Sequence, residues 1–171
     1  MHIRPLEKKD LKDVHKINNE LKIMAYWFEE PYQSLSELES LYERHLRDES
    51  ERRFVVEEKG VFAGIVELVE LDYIHRNCEI QVIITDKFKG MGLAEKSMIE
   101  IVSYAFDILN MHKVYLYVDT DNKKAIHIYE KLGFKEEGYL REHFYTMGEY
   151  KDSFMMGVLK REWNREISED F

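Results

Sequence analysis

Gln81-Val82-Ile83-Ile84-Thr85-Asp86-Lys87-Phe88-Lys89-Gly90-Met91-Gly92-Leu93-Ala94 is the stretch on which the reading of this chain turns. It opens as a β-branched apolar run, passes two glycines, and from Leu93 to Leu109 its apolar residues recur at helical spacing. A strand, a basic glycine turn and the first turn of a helix therefore follow one another. Such a junction aims free backbone N–H groups and the positive end of a helix dipole at whatever lies in front of it, which suits a phosphate. A P-loop would need Gly-Lys-Ser/Thr at the end of the turn, and a dinucleotide fingerprint a third glycine where Glu95 stands. Neither fits, which leaves a pyrophosphate cradle from Gly90 to Ala94, helped by Lys87 and Lys89.

Working outward, Asn77 to Thr85 reads as a strand with Glu79, Gln81 and Ile83 on one face and Cys78, Ile80, Val82 and Ile84 on the other. Upstream, Arg52 to Glu58 and Val61 to Leu71 form a hairpin about Lys59-Gly60, and His2 to Leu6 a first strand. Downstream, Lys113 to Asp119 alternates as a strand, joined in parallel through the long helix. Asp121 is expected to cap a helix over Asn122 to Leu132 that Gly133 ends, and Phe134 to Thr146 with Glu149 to Leu159 makes a last hairpin. Near the N-terminus, Asp10 is expected to cap a helix with Leu11, Val14, Ile17 and Leu21 on one side, ending near Met24. Ser34 and Glu37 form a capping box that opens another helix. Between these helices lies Tyr26-Trp27-Phe28-Glu29-Glu30-Pro31-Tyr32, three aromatics, two carboxylates and a helix-stopping proline. The pattern predicts an α/β fold, a mixed sheet flanked by helices, in one domain over residues 1–171 with a polar tail.

Composition narrows the function classes. A 44% hydrophobic chain of 171 residues can bury a real core. With no apolar run of membrane-spanning length and no secretory pattern at Met1-His2-Ile3-Arg4-Pro5, a soluble cytoplasmic protein is expected. A formal net charge of -9 disfavours nucleic acid and favours a cationic ligand. The lone Cys78 reads as a core residue, and His45, His75 and His127 lack metal-ligand spacing. Arg52-Arg53 is expected to pair with carboxylates.

The glycine turn and the stretch Asp121-Asn122-Lys123-Lys124-Ala125-Ile126-His127-Ile128-Tyr129-Glu130-Lys131-Leu132-Gly133-Phe134 together resemble the GNAT superfamily of acetyl-CoA-dependent N-acetyltransferases. Tyr26 to Tyr32, Glu51 to Glu57, Ile74-His75-Arg76 and Ala125 to Tyr129 further resemble the spermidine N-acetyltransferases, and this likeness covers roughly His2 to Trp163. The resemblance implies that Lys89, Gly90, Met91, Gly92, Leu93 and Ala94 bind the CoA pyrophosphate, with Lys89 in place of the usual Gln or Arg. It carries further CoA contacts onto Val82, Ile83 and Ile84, whose backbone would pair with the pantetheine amides, and onto Asn122, Lys123, Ala125, Ile128, Tyr129 and Lys131.

By the same resemblance Tyr129 is the general acid for the departing thiolate, and direct transfer to a primary amine of spermidine or spermine is implied. An amine of pKa about 10.4 is neutral in only about one molecule in a thousand at pH 7, so its proton needs an acceptor. Glu79 is the candidate, through water, with Gln81 and Ile80 beside it. Asn18, Glu29, Glu30, Glu37, His45 and Glu51 match a second, allosteric polyamine site at a subunit boundary, and Glu29 and Glu70 match positions for a divalent cation such as Mg or Ca. A homo-oligomer, commonly a dodecamer, is implied as well. Two other readings remain: an N-terminal acetyltransferase acting on a ribosomal or other protein, and a non-catalytic polyamine sensor that has kept the fold.

Overall fold

A computed structural model describes residues 1–27 and 30–163. One sheet carries β1 (His2–Pro5), β2 (Arg52–Glu58), β3 (Val61–Asp72), β4 (Asn77–Ile84), β5 (Lys113–Asp119), β6 (Lys135–Thr146) and β7 (Glu149–Leu159), in the order β1-β2-β3-β4-β5-β7-β6. Every neighbouring pair is antiparallel except β4 with β5. A parallel pair needs a crossover, and α4 (Leu93–Asp107) supplies it. The other helices are α1 (Leu11–Asn18), α2 (Leu21–Trp27), α3 (Leu35–His45) and α5 (Lys123–Lys131).

Helices cover the sheet on both faces. Cys78 and Ile80 of β4 enter a large core with Met98, Val102 and Phe106 of α4, while Ile65 and Ile83 enter a smaller one with Leu11, Val14 and Ile17 of α1, Ile23 of α2 and Leu38 of α3. The apolar run of β3 follows from this double cover, since Ala63, Ile65, Val66 and Leu68 are all buried. Burying Ile65, Val66 or Leu68 contributes about 1.5–3 kcal/mol each by leaving water. Burial also pushes the Cys78 thiol up to about 12, so it stays an inert core group.

Three local expectations change. The first helix breaks after Asn18, because Asn19 Nδ2 donates to His15 O at 2.8 Å and to Gln33 O at 2.9 Å and so bends the chain into a second helix. Asp10 does not cap α1: its carboxylate takes the Arg4 guanidinium at 2.7 Å and the Glu7 N–H at 2.9 Å. The cap of α5 is Asn122, whose Oδ1 accepts the Ala125 N–H at 3.2 Å, whereas Asp121 donates its N–H to Asp119. The Ser34–Glu37 capping box is present, and Trp163 docks through Nε1 onto Ser103 Oγ at 3.0 Å.

The feature that positions the site is where pairing stops. β4 and β5 are in register only at Asn77 with Lys113, Cys78 with Val114 and Glu79 with Tyr115. β4 nevertheless continues along β3 as far as Ile84 with Gly64, and β5 along β7 as far as Asp119 with Ser153. A wedge opens from Ile80 onward. At its mouth β3 approaches β4 so closely that a Cβ on Gly64 would lie 2.0 Å from the Ile83 carbonyl oxygen.

Candidate active site

The wedge leads into a cavity of about 560 Å³, within the usual range for a ligand site. Val82, Ile83 and Ile84 of β4 form one wall, and the turn contributes Phe88, Lys89, Gly90, Gly92, Leu93, Ala94 and Glu95. Asn122, Lys124, Ala125, Ile128 and Tyr129 come from α5 and its cap, and Lys22, Ile23 and Tyr26 from α2.

The turn is held from below. Thr85 donates its N–H to Ala63 O at 2.8 Å, and Phe88 is buried under the loop. Gly90 at φ 83 and Gly92 at φ 73 then take left-handed conformations that a side chain would resist. Gly92 caps α4 without any side-chain acceptor, so no side chain occupies the first-turn N–H groups of the helix. A helix start of this kind suits an anion. Lys89 lines it, ion-paired with Asp86, while Lys87 lies over the Phe88 ring at 5.2 Å and off the wall.

Not every residue assigned to the donor site faces this cavity. Met91 is half exposed beside it, and Lys123 lines a separate cavity of about 330 Å³ with His127, Glu136 and Phe154. Lys131 binds Glu95 at 2.6 Å. The donor set expected from the sequence did not include Lys22, Ile23, Tyr26, Phe88 or Glu95. For the α2 residues the only local signal is that Lys22 and Tyr26 are four apart on one helical face.

Tyr129 is half-buried, its ring centroid 6.1 Å from that of Phe134. Burial pushes its pKa up to about 12, so the phenol keeps its proton. Glu79 stands at the apex of the wedge, the last β4 residue paired with β5, and its Oε1 accepts Gln81 Nε2 at 2.8 Å. It shares a sheet face with its register partner Tyr115, whose pKa is raised by burial and then by the Glu79 charge. Tyr117 is raised by the same two causes. Ile80 does not join this group: it is 3% exposed and turned into the α4 core, as strand alternation requires of a neighbour of Glu79 and Gln81.

The acidic set divides. Glu30 and Glu37 line a second cavity, also about 560 Å³, with Tyr32, Gln33 and Arg44. The Ser34 hydroxyl and N–H hold Glu37 below the usual carboxylate range, and Asn18 Nδ2 donates to Gln33 Oε1 at 3.1 Å nearby. Glu51 sits apart with His45 at 3.5 Å and Arg53 at 2.9 Å, and Arg53 also binds buried Glu67 at 3.1 Å. Burial and then Arg53 push the His45 pKa down, against the opposing charge of Glu51. Glu70 is exposed at a β3 bulge with φ 52. Glu29 lies outside the described residues, among which no cluster of three or more His, Cys, Asp or Glu side chains could hold a metal. No helix among them is long and apolar enough to cross a membrane.

A sheet that opens between two parallel strands, with an uncapped helix start and a protonated phenol on the cavity walls, defines an acyl-CoA-dependent N-acyltransferase. The acetyltransferase (GNAT) domain family matches residues 1–135, and the chain belongs to that family, in its spermidine N-acetyltransferase branch. Spermidine N(1)-acetyltransferase of Escherichia coli is 47% identical over 164 residues, which is 96% of this chain and 88% of that protein. The crystal structure of spermidine N-acetyltransferase from Vibrio cholerae in complex with CoA and spermine is 48% identical over 94% of this chain and 96% of that one, with a TM-score of 0.92. A structure of the Vibrio cholerae enzyme in complex with manganese ions is 44% identical over 99% and 96% of the two chains, with a TM-score of 0.85.

Proposed function

We propose that this one-domain chain transfers the acetyl group of acetyl-CoA to a primary amine of spermidine or spermine, by direct attack in a ternary complex. The observation that carries the reading is the wedge between β4 and β5, with the uncapped helix start at its mouth and Tyr129 on its wall. Extended identity with enzymes named for spermidine supports the acceptor.

The helix start and the glycine N–H groups receive the donor pyrophosphate, and the open edge of Val82 to Ile84 receives the pantetheine amides. Ile84 and the apex at Glu79 are five residues apart, about 16 Å of strand. Glu79 binds the attacking amine at the apex and passes its proton to water. Tyr129 acts on the leaving sulfur. With burial raising the phenol above an ordinary thiol, complete proton transfer to the leaving thiolate runs uphill. The phenol therefore serves first as a hydrogen-bond donor to the sulfur, and its proton crosses late as the C–S bond breaks. Cys78, buried and with a raised pKa, offers no nucleophile for a covalent acyl-enzyme.

Glu30 and Glu37 bind polyamine at a regulatory site in which Glu29, Glu51, His45 and Asn18 take part across a subunit boundary of a homo-oligomer, a dodecamer by family resemblance. A divalent cation at Glu29 and Glu70 belongs to the same reading. Its setting is the cytoplasm, where polyamines and acetyl-CoA meet. Thiol release measured with spermidine, spermine and a peptide amine, for the native chain and Tyr129→Phe, tests the reaction. Release with the peptide alone would replace the acceptor, and polyamine binding with no release would make the chain a sensor.

A further inference from the structure

The phosphate end of the cavity has little free positive charge where the sequence suggests it. Lys89 is tied to Asp86, Lys87 lies on the Phe88 ring, and Glu95 of the lining is held by Lys131. Two cations of the lining remain, Lys22 from α2 and Lys124 from α5, and neither enters an ion pair among the described residues. They come from opposite faces of the sheet: Ile23 next to Lys22 is buried in the smaller core, while Ala125 next to Lys124 packs on the larger one. Lys22 also stands close to the turn, because its charge, after that of Lys89, helps to hold the Asp86 carboxyl below its usual range.

A pyrophosphate brings two negative charges to this mouth, and backbone N–H groups supply dipoles but no net charge. We propose that Lys22 is a phosphate-positioning residue for the donor, an ammonium delivered by α2 that closes on the glycine turn from the sheet face opposite α5. The proposal rests on the acetyl-CoA reading above. It gives α2, which ends at Trp27, a role in donor binding, so a phosphate on Lys22 also fixes that helix. Tyr26, on the same helical face and 60% exposed, is fixed with it.

Calorimetric titration of the full chain with CoA, for native protein, Lys22→Gln and Lys22→Arg at low and high salt, tests this. At low salt Lys22→Gln should weaken CoA about 3- to 10-fold, as expected for the loss of one exposed charge-assisted contact, and the difference should shrink at high salt. Lys22→Arg should restore most of the affinity. In steady state the donor KM should rise while kcat at saturating donor holds, which a general loss of structure would not produce. Dephospho-CoA names the phosphate: a Lys22→Gln effect that persists places the ammonium on the pyrophosphate, and one that vanishes places it on the ribose phosphate. If Lys22→Gln binds CoA as the native chain does at both salt levels, or if arginine does not restore binding, the proposal is overturned while the acetyl-CoA reading stands. Should the native chain itself not bind CoA, the reading beneath the proposal falls.

Discussion

At the glycine turn the groups facing the cavity are backbone N–H groups held in place by two left-handed glycines, whereas the cavity of Glu30 and Glu37 is faced by side chains of α3 and of the segment just before it. The first arrangement is local and rigid. Among the acidic residues, two carboxylates already have other work: Glu37 closes a capping box and Glu51 binds Arg53. A backbone site keeps its geometry when a neighbouring side chain changes. A carboxylate site can be retuned by one substitution, as regulation of a reaction demands more often than its chemistry does.

Four measurements test the separation of these two regions. The largest effect is expected at Tyr129, where replacement by phenylalanine should lower kcat about 100- to 1,000-fold and leave the donor KM within about 2-fold. A matching rise in KM would make the phenol a binding group instead. Next comes pH. With Tyr129 raised to about 12, the acid stays protonated through the alkaline range, and the amine, at about 10.4, is the group that titrates. Under subsaturating spermidine the rate should climb about tenfold per unit from pH 7 to 9, with no falling limb below about pH 11. A falling limb near pH 9 would remove Tyr129 as the acid.

Gly92→Val forces a β-branched residue to φ 73 at the cap of α4 and should raise the donor KM about tenfold, corresponding to about 1–2 kcal/mol, without altering the shape of the polyamine curve. A changed polyamine curve would mean that the two regions are not separable. The smallest effect is expected at Ser34→Ala, which removes the cap of α3 for about 1 kcal/mol, seen as a drop of about 2–4 °C in Tm. If it also altered polyamine dependence, the capping box would be part of the proposed polyamine site.

The same contrast explains what could be read from the chain alone. The β4 strand, the turn and α4 were legible because strand alternation, left-handed glycines and helical spacing are local signals, and they lie consecutively. The wall formed by α2 was not, since nothing near Lys22 or Tyr26 announces that the fold will lay this helix against the turn some 65 residues later. Caps were misassigned where an acidic residue had a stronger partner: Arg4 claims Asp10, and Asn122 outcompetes Asp121 for the α5 start. Ile80, expected with Glu79 and Gln81 at the acceptor site, lies instead in the α4 core, on the face to which strand alternation assigns it.

The short pairing of β4 with β5 also affects the unliganded molecule. Beyond Glu79 and Tyr115 the sheet contains two inward-facing edges, rows of amides and carbonyls of the kind that invite a foreign strand. A donor that runs along one of them completes the sheet, and at about 100 times its Kd it would add about 2.7 kcal/mol to folding stability. Heat tolerance and resistance to self-association should therefore track the supply of CoA and its thioesters, so that the chain lasts longest when there is acetyl to transfer.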